Sequence, residues 1–181
     1  MPHNLYIVGF MACGKSSAGK QLSAVLGVPL IDTDREVEKR MGMSVPAIFS
    51  RFGEERFRTE ESRVLRGIEP QNGIVVTGGG LPCFHGNMAY MNRNGITLYM
   101  EVPAEVIAER LRNDVEKNRR PLLNGIEKKD VLSFVRKGIK EREPFYLQAR
   151  HRFKGQEESF ENLCRWVSDI LRVDGVHNKK R

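Results

Sequence analysis

Two rhythms of apolar residues alternate along this chain. Short runs of strand-forming residues are each followed by a stretch whose apolar positions recur every three or four residues. Residues 4–8 (Asn-Leu-Tyr-Ile-Val) form the first run, and Ala18, Leu22, Val25 and Leu26 mark one face of a helix over 15–26 that Gly27 ends. A short strand is expected at 29–32, then helices at about 34–41, 45–52 and 54–66. Residues 74–77 (Ile-Val-Val-Thr) are β-branched throughout, as in a strand buried on both faces. A short helix at 88–94 leads to a strand at 96–102, and Pro103 opens a helix with a stripe of Ala104, Ile107 and Leu111. Val131, Val135 and Ile139 predict a helix ending near Pro144, with Arg142 in its last turn, and Arg152-Phe153-Lys154 predicts a last strand. Phe160, Leu163, Cys164, Val167, Ile170 and Leu171 line one face of a closing helix. Alternating strands and helices without an internal repeat predict an α/β fold, a parallel sheet with helices on both faces, as one domain over 1–174. In such sheets ligands bind at the carboxyl ends of the strands.

Composition narrows this picture. The 181 residues suffice for one substantial core, and no apolar run is long enough to cross a membrane. The N-terminus lacks a charged-then-apolar signal pattern, so the expectation is a cytoplasmic protein. Cys13, Cys83 and Cys164 lie far apart with no C-x-x-C spacing, which argues against a disulfide framework or a zinc site. The net charge of +7 comes partly from Lys179-Lys180-Arg181, in a stretch at 175–181 expected to be a disordered basic tail. No aromatic-interleaved basic stripe points to nucleic acid.

Gly9-Phe10-Met11-Ala12-Cys13-Gly14-Lys15-Ser16 follows the first strand and opens the first helix. Strand, G-x-x-x-x-G-K-S, helix is the context of a phosphate-binding loop. The N–H groups of Met11, Ala12, Cys13, Gly14, Lys15 and Ser16 can wrap a phosphate, with Ser17 beside them and the helix N-terminus adding partial positive charge. Lys15 would reach the β- and γ-phosphates of ATP, and Ser16 would sit on Mg²⁺. The bland alternative is an ordinary glycine-rich turn. Ala12 has a side chain, so a negative φ is expected there. Cys13 reads better as a small filler than as a reactive thiolate.

Other candidate groups follow the remaining strands. Asp32 and Asp34 would lie on the same side of an extended segment, one holding Mg²⁺ and the other accepting a proton from a substrate hydroxyl. Asp34 would also serve as a plain helix N-cap. Gly78-Gly79-Gly80 lets backbone approach a ligand or forms a mobile turn. On a helix, Arg58 and Glu61 are one turn apart, and a guanidinium fixed in this way suits a carboxylate. Phe49 and Phe57 are core residues or one apolar wall of a pocket. The basic stretch at about 113–127, with Arg119-Arg120-Pro121-Leu122-Leu123, reads as a closing lid or a plain loop.

The succession of G-x-x-x-x-G-K-S at 9–16, D-x-D at 32–34, G-E-x-x-F-R-x-x-E at 53–61, G-G-G at 78–80, R-P-L-L at 120–123 and E-R-x-x-x-Y at 141–146 resembles the shikimate kinase family over roughly residues 5–149. The resemblance implies a three-layer α/β/α nucleoside-monophosphate-kinase-like fold with five parallel strands in order 2-3-1-4-5, a mobile lid, and substrate-binding helices at about 34–66. It implies transfer of the ATP γ-phosphoryl group to the 3-hydroxyl of shikimate, with Mg²⁺ held by Ser16 and Asp32. Lys15, Asp34 and Arg120 would be the catalytic residues, with Arg120 reaching the phosphates as the lid closes. Arg58 and Arg142 would grip the shikimate carboxylate, Glu61 would hold Arg58, and Gly79 and Gly80 would add backbone contacts. The adenine would be met near residues 152–156. The implied partners are shikimate and ATP, with no nucleic acid and no membrane, in a monomer.

Competing readings are a kinase for gluconate or a nucleoside monophosphate, a nucleotide-dependent switch, and a nucleic-acid-binding module. The guanine motif N-K-x-D of a GTPase switch is absent.

Overall fold

The computed structural model describes residues 3–113, 125–155 and 158–171. Its elements are β1 (Asn4–Val8), α1 (Lys15–Leu26), β2 (Leu30–Asp32), α2 (Thr33–Met41), α3 (Val45–Arg66), β3 (Ile74–Val76), α4 (Asn87–Asn94), β4 (Gly95–Glu101), α5 (Ala104–Asn113), α6 (Val131–Tyr146), β5 (His151–Lys154) and α7 (Phe160–Leu171), with a 3₁₀ turn at Leu81–Cys83. The five strands are all parallel in the order β2-β3-β1-β4-β5. Helices cover both faces, giving the three-layer α/β/α arrangement expected of alternating elements.

β1 is the central strand because all five of its residues are buried. Leu5 lies level with Ile74 on one side and Ile96 on the other. α1 comes close to the sheet at Gly19, where a β-carbon would collide with Val76 and Leu30. α6 reaches the end of β1 in the same way, since a β-carbon on Gly138 would meet the Phe10 ring at 2.8 Å. α2 and α3 share an apolar cluster of their own, Val37, Ile48 and Phe57, separate from the main core.

Most predicted bounds hold to within a residue or two. Helices at 45–52 and 54–66 meet at Gly53, whose φ of 79° and ψ of 174° break α3 there. Three expectations fail. Val25 is exposed, leaving Ala18, Leu22 and Leu26 to face the core. α6 ends at Tyr146, two residues past Pro144, and this leaves Arg142 outside its last turn. Proline removes only one donor, and Leu147 N–H still reaches Glu143 O at 2.8 Å, so the helix carries on past it. Asp32 and Asp34 do not share an extended segment, because β2 ends at Asp32 and α2 begins at Thr33. The expected tail at 175–181 lies outside the described residues, as does 114–124, most of the expected lid.

Candidate active site

The loop between β1 and α1 curls through two positive φ angles at glycine, 147° at Gly9 and 103° at Gly14, the residue that caps α1. Gly9 also lacks room for a side chain, since a β-carbon there would meet Met100 O at 2.9 Å and Cys13 Sγ at 3.1 Å, whereas Gly14 needs glycine for its backbone alone. Ala12 also has a positive φ, 58°, contrary to expectation. It occupies the third position of a turn closed by Cys13 N–H donating to Phe10 O at 3.3 Å, and its carbonyl accepts from Arg110 Nη1 at 3.1 Å. That position takes φ above zero in turns of types II and I′, and the turn overrides the preference of alanine. An Ala12→Gly variant is therefore expected to match the parent in urea unfolding or exceed it by up to about 1 kcal/mol. A loss of about 1 kcal/mol, the usual result of this change in ordinary backbone, would contradict the left-handed geometry.

Cys13 is buried against Gly9, as a filler side chain would be. Lys15 Nζ donates to Gly9 O and Phe10 O, both at 2.8 Å, so the ammonium is held inside the loop. Ser16 and Ser17 are exposed on the first turn of α1. Together with Ala12, Gly14 and Lys15 they line a cavity of about 850 Å³ that extends past Arg110 and Asn113 to Gly155 and Phe160. Its volume and its course from the loop toward α5 and α7 leave room for a nucleoside triphosphate. Arg110 stands 98 residues from Ala12 in sequence, and no motif marks it.

Beside the loop, Asp32 is the N-cap of α2, with Oδ1 accepting from Asp34 N–H at 3.1 Å and Arg35 N–H at 3.4 Å. The capping role therefore belongs to Asp32, and the Asp34 carboxyl is free for chemistry. Burial first, and Asp32 second, raise the pKa of Asp34 to about 6, against the pull of Lys15 and Arg58. Asp34 thus feels both the phosphate-loop cation and the candidate carboxylate grip.

Arg58 is almost wholly buried on α3. Nη1 donates to Glu61 Oε2 at 2.6 Å, while Nε and Nη2 donate to Glu54 Oε1 at 3.1 and 2.8 Å. Three of its five N–H bonds are thereby engaged, leaving one on each terminal nitrogen, the number a carboxylate needs. Burial works against its charge, but Glu61 and Glu54 more than offset this and hold its pKa above the ordinary value. The guanidinium is flanked by aromatic rings, with centroids at 5.9 Å for Phe49, 5.3 Å for Phe57 and 4.7 Å for Phe84. Phe49 and Phe57 themselves stand 4.7 Å apart, so the expected apolar wall is a wall against Arg58. Glu54 was legible as the residue four before Arg58, whereas Phe84 has no signal in the sequence.

Glu61 is buried, and burial raises its pKa to about 7 even beside Arg58. Its Oε1 is the one buried side-chain polar atom without a hydrogen bond among the described residues. The glycine triplet makes space for these groups. A β-carbon on Gly78 would collide with Asp34 Oδ1 and lie 2.6 Å from Glu61 Oε1. One on Gly80 would lie 2.5 Å from Arg58 Nη1 and 2.6 Å from Cζ, and one on Gly79 would lie 3.1 Å from Met11 N. Gly78 N–H donates to the Thr33 hydroxyl at 3.0 Å, tying the triplet to the D-x-D segment.

Arg142 lies over the Phe10 ring at 5.2 Å. Burial pushes the Cys83 thiol up to about 11, against the influence of Arg142 and Arg58, so both arginines stand near Cys83. Lys15, Asp34, Arg58, Glu61, Gly79, Gly80 and Arg142 thus gather around the carboxyl ends of β1, β2 and β3. Arg120 lies outside the described residues. Of the segment expected to meet adenine, Gly155 lines the cavity and residue 156 lies outside the described residues.

Comparison with known proteins gives a consistent answer. The family model described as Shikimate kinase matches residues 11–172. A shikimate kinase of Bacteroides thetaiotaomicron is 38% identical over 154 residues, covering 84% of this chain and 87% of the relative. One from Parabacteroides distasonis is 35% identical over 168 residues, covering 92% and 96%. Among solved structures, a shikimate kinase from Bacteroides thetaiotaomicron superposes with a TM-score of 0.81 at 33% identity, covering 95% of this chain and 99% of that one. The shikimate kinase of Acinetobacter baumannii in complex with shikimate gives 0.79 at 30% identity, covering 96% and 95%.

Proposed function

This chain belongs to the shikimate kinase family, and from that premise we propose a role for each group in its two sites. The reaction is the ATP-dependent phosphorylation of shikimate in aromatic biosynthesis. The shikimate 3-hydroxyl oxygen attacks the γ-phosphorus, a new P–O bond forms, the bond to the β,γ-bridging oxygen breaks, and ADP leaves with that electron pair. The hydroxyl proton passes to Asp34.

The observation that carries the assignment is the placement of Asp34, within electrostatic reach of Lys15 on one side and Arg58 on the other. An acceptor whose carboxylate rests on Arg58 and Arg142 would present a hydroxyl to Asp34 beside the phosphate loop. Phe49 and Phe57 back Arg58, Glu61 and Glu54 fix it, and Gly79 and Gly80 bring backbone to the acceptor. The N–H groups of residues 11–16 and Ser17 receive the phosphates, Lys15 exchanges its loop carbonyls for phosphate oxygens, and Arg120 completes the site from the 113–127 segment.

Mg²⁺ fits the residues present. No group of three His, Cys, Asp or Glu converges among the described residues, so the chain offers no cage of its own. A hydroxyl from Ser16 and a carboxylate from Asp32 suit an ion that arrives on the phosphates of ATP and keeps some of its waters. Bound there, it would neutralise the phosphate charge.

We read the protein as a monomeric cytoplasmic enzyme that binds neither nucleic acid nor membrane. Its small anionic ligands suit scattered Lys and Arg, and among the described residues no helix is long and apolar enough to cross a membrane. The test is ADP release with ATP, Mg²⁺ and a panel of shikimate, quinate, gluconate and nucleoside monophosphates. Release with shikimate alone is expected. Silence with shikimate beside turnover of another acceptor would overturn the acceptor assignment and keep the phosphate loop.

A further inference from the structure

Gly79 carries a hydrogen bond to which the roles above assign nothing. Tyr146, fully buried at the end of α6, donates its hydroxyl to Gly79 O at 2.5 Å. Its ring is fixed by stacking on Tyr99, with centroids 5.2 Å apart and planes at 29°. Gly79 is equally confined on the side of the phosphate loop, by Met11 N and Gly9 O. A peptide unit is planar and trans, so its C=O and N–H point in opposite directions. Holding the Gly79 carbonyl toward α6 therefore turns the Gly80 N–H away from α6, and Gly80 is the residue that lies against the Arg58 guanidinium. No described residue accepts from that N–H. Arg142 stands one turn before Tyr146 on α6, over the Phe10 ring.

We infer that Tyr146 is a positioning residue for acceptor recognition: its hydroxyl ties the Gly79–Gly80 peptide to α6, the helix that carries Arg142, so that the Gly80 N–H and both arginines converge on one carboxylate. Burial holds the phenol far above its ordinary pKa, so it remains a donor at every working pH. The inference rests on the reading that the Arg58 and Arg142 pocket takes the carboxylate of shikimate.

Tyr146→Phe keeps the ring and its packing and deletes the donor. The expected result is a roughly tenfold rise in KM for shikimate, with kcat and the KM for ATP within about twofold of the parent. The analogue of shikimate with hydrogen in place of the carboxylate offers that pocket no acceptor, so parent and variant should turn it over with equal efficiency. An unchanged KM for shikimate, or an equal loss with both acceptors, would overturn the assignment, even if thermal stability falls. Should the phenylalanine variant not fold, 3-fluorotyrosine at position 146 keeps ring and hydroxyl and makes a stronger donor. A lower KM for shikimate with an unchanged KM for ATP then supports the inference, and no change in either overturns it. The parent enzyme, measured alongside, separates this failure from failure of the acceptor reading, which would appear as no turnover of shikimate at all.

Discussion

A Gly78→Ala enzyme is expected to lose about two orders of magnitude in kcat/KM for shikimate, while its KM for ATP changes by less than about threefold. Gly78 does not need glycine for its backbone, since its φ is not positive. It needs glycine for space, because one methyl group there would meet Asp34 Oδ1 and Glu61 Oε1 together. Neither carboxylate has an easy retreat. Glu61 is held by Arg58 at 2.6 Å, and Asp34 is held in the first turn of α2. The backbone cannot withdraw either, because Gly78 N–H is tied to Thr33 Oγ1. The variant must shift Asp34, Arg58 or both, and displacements near 1 Å at reacting groups have effects of this size. Gly67→Ala is the control, since a β-carbon there meets backbone oxygen only at 3.5 Å. Near-parental kcat/KM for Gly78→Ala would mean that the two carboxyls are not the fixed pair described above. An equal rise in the KM for ATP would mean general damage instead.

The fold was legible because buried parallel strands and one-sided helices carry different periods, and this chain keeps them separate. Even the interruption at Gly53 followed from its glycine. What failed was local reasoning applied where a distant contact decides. Pro144 suggested that Arg142 sits in the last turn of α6, yet the helix runs two residues further, to Tyr146, whose hydroxyl reaches Gly79, 67 residues away. Ala12 prefers a negative φ, yet a turn with Arg110 on its carbonyl fixes the other sign. The Arg58–Glu61 pair was legible from helical spacing, whereas the shared extended segment expected of Asp32 and Asp34 is replaced by a helix start. The glycine triplet was legible as a site but not as a reason. The sequence suggests free backbone donors, whereas the geometry adds that side chains of Asp34, Glu61 and Arg58 occupy the places where β-carbons would stand. Arg110 and Phe84 meet their partners across long sequence separations, where no spacing rule applies, and the E-R-x-x-x-Y pattern that ends at Tyr146 does not say that its hydroxyl reaches Gly79.

Asp34→Asn is expected to lower kcat with shikimate by about two orders of magnitude or more, the range for loss of a positioned proton acceptor. A loose phosphoryl-transfer transition state demands little from a base, so the size of the loss is itself informative. A fall below about tenfold would reduce Asp34 to orienting the hydroxyl, a task asparagine performs in part. The pH profile separates the cases further. With its pKa at about 6, Asp34 is ionised at pH 7.5, and the parent kcat/KM should fall as acid returns the proton. Glu61, at about 7, is coupled to it, so the acid limb belongs to the pair. Stability should run in the opposite direction. The folded-state pKa of Asp34 is raised from 3.8 to about 6, so across that window the folded chain keeps a proton that the unfolded chain has released. Stability is therefore lost as pH rises from about 4 to about 6, and the deficit persists above. Asparagine carries no such charge, so the variant should unfold at higher denaturant than the parent at pH 7.5, by about 1–3 kcal/mol, with the gap closing toward pH 4. A variant that is both inactive and less stable at pH 7.5 would contradict this account. One that is inactive and more stable would show that Asp34 is retained for the chemistry at the expense of the fold.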